Sequence, residues 1–180
     1  FVLKKHAMEL IMGCLLLLCF YCLSREAAAV SARMSQKKVI VVDCGHGGID
    51  PGMIGIDGLK EKEFNLAIGM KLKKALEDYG YQVVMTRETD TGLYDEDSQN
   101  KKAQDMQKRI LLIQKVDPVL TVSIHQNSYE DPAVKGPQVF YYRDSAQGEA
   151  LAKKIQEKLN ENLEVERPRE IKGNTTYYLL

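Results

Sequence analysis

The sequence is poor in the residues that most often betray a function, and each shortage removes a class. Its 180 residues hold 4 cysteines and 3 histidines. Cys14, Cys19 and Cys22 lie in an apolar N-terminal run, where a thiol behaves as a small apolar side chain. Only Cys44 remains for the rest of the chain, so an internal disulfide framework is excluded and the redox compartment stays open. Net charge is missing too: 25 basic residues balance 25 acidic ones, and the sequence pI lies near 7.0. Without a global field, neither nucleic acid nor another polyanion is the expected partner. The longest apolar run, Leu10 to Leu23, spans 14 residues. As a helix it covers about 21 Å, short of the roughly 30 Å of hydrocarbon in a bilayer. Internal repeats and low-complexity tracts are absent, as is the Gly-Lys-Ser/Thr ending of a P-loop.

What is present divides into a leader and one domain. Lys4, Lys5 and His6 precede the apolar run and Ala27-Ala28-Ala29 follow it, the order of an export signal. Residues 1–36 are therefore expected to be a signal peptide or an N-terminal membrane anchor with a short linker, the chain's one contact with a membrane. Residues 37–180 suffice for one globular domain with a buried core. The chain opens on Phe1 and closes on the apolar Tyr177-Tyr178-Leu179-Leu180, which reads as a strand stopped midway, so both ends are expected to be cut.

From Lys37 onward, strand and helix alternate, which predicts an α/β fold: a mostly parallel, twisted sheet flanked by helices in a single domain. Val39-Ile40-Val41-Val42 is a β-branched run typical of a strand covered on both faces. A glycine-rich loop follows, then a helix from about Lys60 to Tyr79 with Phe64, Ile68, Leu72, Ala75, Leu76 and Tyr79 at helical spacing, closed by Gly80. Further strands are expected at Tyr81–Thr86, Val119–Ile124 and Gln138–Tyr142. Between them come a charged loop over 88–102, a helix through Ala103, Met106, Ile110 and Ile113, and a helix through Leu151, Ile155, Leu159 and Leu163.

Two of the three histidines, His46 and His125, stand where predicted strands run out into loops, and the carboxylate of Glu61 begins the helix after the first. Residues at the carboxyl ends of parallel strands share one crevice. Two imidazoles and a carboxylate make a three-ligand zinc set with one position left for water or substrate, the arrangement of a hydrolase. Each residue also has an ordinary reading: a hydrogen-bonded histidine, or a first-turn glutamate favouring the helix dipole. Gly45, Gly47 and Gly48 suit a loop that presents a ligand, although phosphate-cradling loops use glycine for the same reason. Cys44 reads as a packing residue, with a thiol nucleophile in a zinc-free hydrolase as the alternative.

The stretches Val41 to Gly52, Gly58-Leu59-Lys60-Glu61-Lys62, Val83 to Arg87 and Ser123-Ile124-His125-Gln126-Asn127 resemble, in order and spacing, the zinc-dependent N-acetylmuramoyl-L-alanine amidases of the amidase-3 type. The resemblance covers about residues 38–180 and implies that His46, Glu61 and His125 hold Zn2+, selecting Glu61 over Glu63. It implies a catalytic domain over 37–180 that hydrolyses the amide between N-acetylmuramic acid and L-alanine of the stem peptide. Its partners would be the glycan strand and stem peptide of peptidoglycan and an activating protein. The charged insert around Tyr94 to Lys102 and Asp105 to Arg109 resemble the sporulation branch, which prepares muramic lactam in spore cortex. An exported protein of the cell wall or the forespore intermembrane space is then expected. Arg87 and Asn127 match positions near the cleft: Arg87 would clamp a substrate carboxylate or pair with Asp90, and Asn127 would contact substrate, orient the His125 loop or form a turn. Two departures stand out. The family has proline where Cys44 stands, and its catalytic glutamate, in a segment running roughly Pro-Ala-Val-Leu-Val-Glu, is expected beyond Leu180. Glu164, Glu166 and Glu170 read as a solvated loop and not as substitutes. A peptidoglycan-binding module of the same fold without turnover is the alternative to an enzyme.

Overall fold

A computed structural model describes residues 2–35, 38–129, 131, 134–163 and 165–179, with side chains of the first helix described over 11–27. That helix, α1, runs over Val2–Ser35, and its side chains from Ile11 to Leu23 are exposed. Among the described residues no helix is long and apolar enough to cross a membrane. Residues 1 and 36 of the expected leader lie outside the described residues, as do Lys37, Pro132 and Glu164.

Three strands build the sheet that carries the site: β1 (Val39–Cys44), β2 (Gln82–Met85) and β3 (Leu120–Ile124), in the order β2-β1-β3 and all parallel. Parallel neighbours need crossovers, supplied by α2 (Glu61–Asp78) and α3 (Lys101–Val116). Central β1 is buried from Ile40 to Cys44, as its β-branched run requires. Ile40, Val42 and Cys44 pack with Met85, Leu66, Leu72 and Leu76 on the α2 side. Strand alternation sends Val41 and Asp43 to the other face, where Arg109 of α3 meets Asp43. Helices therefore cover both faces, and residues 45 and 125 leave the sheet at the same edge: the pairing of Cys44 with Ile124 closes the ladder, and Gly45 N donates to Ile124 O at 3.1 Å.

The helix ends have local causes. Lys60 offers α2 no side-chain cap; loop carbonyls take the first amides instead, Glu61 N donating to Met53 O and Lys62 N to Pro51 O. Gly80, at φ +87°, ends the connection after α2, with Tyr81 N donating to Leu76 O and Gly80 N to Glu77 O. Helix α3 starts at Lys101, two residues before its apolar periodicity, because Asn100 Oδ1 caps Ala103 N at 3.1 Å.

A second, two-stranded parallel sheet joins β4 (Phe140–Tyr142) to β5 (Lys172–Asn174), with α4 (Ala146–Asn162) between them in sequence. The strand expected at Gln138–Tyr142 shortens to three residues. The strand expected at 177–180 is a correction: Tyr177 to Leu179 form bends and a turn, and Leu180 lies outside the described residues. Asn174 causes the turn, its Oδ1 accepting from Thr176 N at 2.7 Å and Tyr177 N at 2.9 Å.

Candidate metal centre

The loop after β1 turns within a few residues, and its backbone shows why it is rich in glycine. His46 itself adopts a left-handed φ of 64°, followed by Gly47 at 137° and Gly48 at 56°, values that side chains other than glycine seldom accept. Gly45 is required for space: a Cβ there would lie 2.3 Å from His125 Cε1. One at Gly52 would lie 2.6 Å from His46 Cδ2 and 2.7 Å from Glu61 Oε2. The two imidazoles and the carboxylate are thus packed against bare backbone.

The three side chains converge. His46 Nε2 lies 3.3 Å from Glu61 Oε2, His125 Nδ1 lies 3.0 Å from Glu61 Oε1, and the candidate ligand atoms all lie within 4.8 Å of one another. The rings meet edge to face, centroids 4.8 Å apart. Glu61 is 4% exposed, whereas the His125 side chain is 46% exposed, so the site is anchored from below and open to solvent above. Glu63 is exposed and takes no part.

Hydrogen bonds from the surrounding loops orient the set. His46 Nδ1 lies 2.8 Å from Asp50 Oδ2; an ionised carboxylate only accepts, so Nδ1 donates, and Nε2 is the nitrogen that faces Glu61 Oε2 at 3.3 Å. Burial alone would raise the Asp50 carboxyl, but hydrogen bonds from His46, from Lys102 and from Gly52 N outweigh it and hold the group down at about 2. Burial likewise opposes ionisation of Glu61, and hydrogen bonds from Met53 N, Gln126 N and Asn65 reverse the effect, lowering its pKa. An imidazole nitrogen and a carboxylate oxygen 3.3 Å apart stand at about the spacing of two ligands on one tetrahedral ion. The donor set accordingly fits a metal ion with an open position, of the His2Glu type.

Arg87 lies beneath the loops of the site. It is 4% exposed, and its guanidinium donates to Cys44 O (2.9 Å), Thr89 O (3.1 Å), Gly45 O (3.2 Å) and Lys62 O (2.7 Å). It ties the loops after β1 and at the start of α2 together, and Asp90, weighed as its partner, pairs with Lys62 at 2.6 Å. Asn127 is exposed next to the site. Cys44 is fully buried, a Cβ on Gly69 would sit 2.2 Å from its Sγ, and burial pushes its thiol pKa up. That overturns the nucleophile reading, because the reactive thiolate is the form burial disfavours.

Several positioning residues escaped the sequence reading. Asp50 follows His46 at four residues and Asn65 follows Glu61 at four, spacings that read equally as ordinary loop and helix positions. Arg109, 1% exposed, donates to Asp43 Oδ1 (2.6 Å), Cys44 O (2.8 Å), Thr86 Oγ1 (3.2 Å), His46 O (2.7 Å) and Asp105 Oδ2 (2.7 Å). Asp43 Oδ2 in turn accepts from Ser123 Oγ at 2.6 Å, so one buried cluster supports both histidine-bearing strand ends. Glu166 is exposed, and Lys135 lies 3.6 Å away, in keeping with a solvated loop.

A parallel α/β sheet that delivers two imidazoles and a buried carboxylate to one open edge defines an α/β protein with a candidate metal centre. Residues 40–180 match the Amidase_3 family, N-acetylmuramoyl-L-alanine amidase, and the chain belongs to that family. It is 39% identical over 130 residues to the germination-specific N-acetylmuramoyl-L-alanine amidase of Bacillus subtilis, covering 71% of this chain and 54% of that protein. To the N-acetylmuramoyl-L-alanine amidase AmiA of Escherichia coli it is 35% identical over 131 residues, covering 72% and 41% respectively. The CwlD amidase of Clostridioides difficile, solved in complex with the GerS lipoprotein, superposes with a TM-score of 0.77 at 38% identity, over 80% of this chain and 76% of that one. The chain spans about half the length of the curated relatives it matches.

Proposed function

We propose that this chain is the metal-binding part of an exported, zinc-dependent peptidoglycan amidase that cleaves between N-acetylmuramic acid and L-alanine of the stem peptide, in spore-cortex formation. The observation that carries the proposal is the convergence of His46, Glu61 and His125 at the open edge of the sheet. A zinc ion held there supplies Lewis-acid polarisation of the amide carbonyl and makes water nucleophilic at neutral pH. The chain's own residues set the stage for it. Asp50 keeps the His46 proton on Nδ1, Glu61 is kept ionised by its amide donors, and Arg87 and Arg109 hold the loops from beneath. Asn127, exposed two residues after His125, is the residue this reading assigns to substrate contact. The basic start and the apolar run of α1 support export or anchoring, and the lipoprotein bound by the Clostridioides difficile relative supports an activating partner of that kind.

Zinc titration, combined with an assay for newly freed L-alanine amino termini on peptidoglycan, tests the reading on the full-length protein. Release should stop with a chelator and return with zinc. Zinc binding and retention on peptidoglycan without release, under conditions where the relatives act, would favour a binding module of the same fold.

A further inference from the structure

We infer that Asn65 and Gln126 act as one amide pair that positions the metal-binding carboxylate, an inference that rests on the metal site proposed above. Asn65 stands about one helical turn after Glu61 on α2 and is fully buried. Its Nδ2 donates to Gly45 O at 3.1 Å and to Glu61 Oε1 at 3.2 Å. Its Oδ1 accepts from Gln126 Nε2 at 3.1 Å. Gln126 follows His125 directly, and its backbone N–H donates to the same Glu61 Oε1 at 2.9 Å. The pair therefore touches all three segments that carry ligands: Gly45 precedes His46, Glu61 opens α2, and Gln126 follows His125.

The consequence falls on the carboxylate. Oε1 accepts from Gln126 N and Asn65 Nδ2, while Oε2 accepts from Met53 N at 2.9 Å. Donors on opposite sides of the group fix both the side-chain torsions and the plane of the carboxylate, so one oxygen lies beside each imidazole. A buried amide is costly unless its polar atoms are bonded, and an apolar residue would fill this helix position without that requirement. Each of Asn65's three bonds ends on a ligand or on a residue adjacent to one, which accounts for an amide here better than packing does. Partners of this kind orient metal ligands, and their loss characteristically weakens binding while leaving the ligands in place.

The test uses the 180-residue chain with Asn65→Ala, Gln126→Ala and the double variant. Zinc affinity is read by competition with a chelator, and site symmetry by the visible spectrum of bound Co2+. Each single change is expected to lower zinc affinity by about 10–100-fold and to shift the Co2+ bands. The double variant should lose less than the product of the two, because the side chains act as one unit. Gln126 is exposed, so Gln126→Ala decides the matter even where Asn65→Ala does not fold. Singles that bind zinc as tightly as the parent with an unchanged Co2+ spectrum would overturn the inference, as would fully multiplicative losses. A parent that binds no zinc would overturn the metal reading and this inference with it; a parent that binds, with variants that bind equally, overturns this inference alone.

Discussion

Asp50 shows how little at the residue scale separates a histidine that is merely present from one prepared to bind a metal. Its carboxylate accepts from His46 Nδ1 and is held in turn by Lys102 Nζ at 2.8 Å. Removing it with Asp50→Ala frees the imidazole to rotate and to change tautomer. Zinc affinity is expected to fall by about 10–100-fold, measured by competition with a chelator, with little change in the unfolding midpoint of the metal-free chain; unchanged affinity would show that the ring is oriented by other contacts. The convergence of His46, Glu61 and His125 was legible in the sequence, because the two histidines end apolar strands and Glu61 opens the helix between them. Their supports were not. An arginine just after a strand reads the same whether it faces the cleft or lies beneath it, and only the fold reveals that Arg87 spends its donors on carbonyls.

The elements that hold the site are set by close approach as much as by hydrophobicity. Gly69 lets α2 lie against β1: a Cβ there would meet Cys44 Sγ at 2.2 Å and Met85 Cε at 3.3 Å. Replacing glycine by alanine in a helix gains about 1 kcal/mol, whereas overpacking a core costs about 1–3 kcal/mol, and a sulfur 2.2 Å away on the central strand puts this site toward the costly end. Gly69→Ala is therefore expected to destabilise in urea denaturation, and Cys44→Ala, which removes the sulfur, to turn the same change neutral or favourable. On the other face, Arg109 and Asp43 are buried together at 2.6 Å. Arg109→Met would strand a carboxylate in the interior, an expected loss of about 3–5 kcal/mol, read from the urea midpoint; a loss below about 1 kcal/mol would mean that Asp43 finds other donors. Strands β1 to β3 were legible from their β-branched runs, and the helices from their apolar spacing, although that spacing named only part of the packed face: Leu72 and Leu76 lie on the core while Phe64, Ile68 and Tyr79 are exposed, and the buried positions are Glu61, Lys62, Asn65 and Gly69 on α2 and Arg109 on α3. By contrast β5, Lys172–Asn174, carries no strand-forming side chain and exists through backbone pairing alone, Lys172 N donating to Val139 O and Arg143 N to Asn174 O. The apolar Tyr177-Tyr178-Leu179 promised a strand, and the Asn174 carboxamide turned it instead.

For the molecule as a whole, the question is which group moves the proton. The carboxylates bonded within the site among the described residues are Glu61 and Asp50. Glu61 accepts from three amides and faces both imidazoles; Asp50 is engaged by His46, Lys102 and Gly52 N. Neither is free to take a proton from water and return it to a leaving amine. In the function proposed above, that task falls to the glutamate expected in a segment resembling Pro-Ala-Val-Leu-Val-Glu. The 180-residue chain is accordingly expected to bind zinc while releasing L-alanine amino termini from peptidoglycan more slowly, by about 10²–10⁴, than a longer product that carries such a glutamate. Changing that glutamate to glutamine in the longer product should reproduce the loss with zinc still bound, whereas changing Glu61 to glutamine should remove the zinc itself. Full activity from residues 1–180 would mean that a carboxylate already present, for all its bonds, performs the transfer, and the division of labour between metal holding and proton movement drawn here would be wrong.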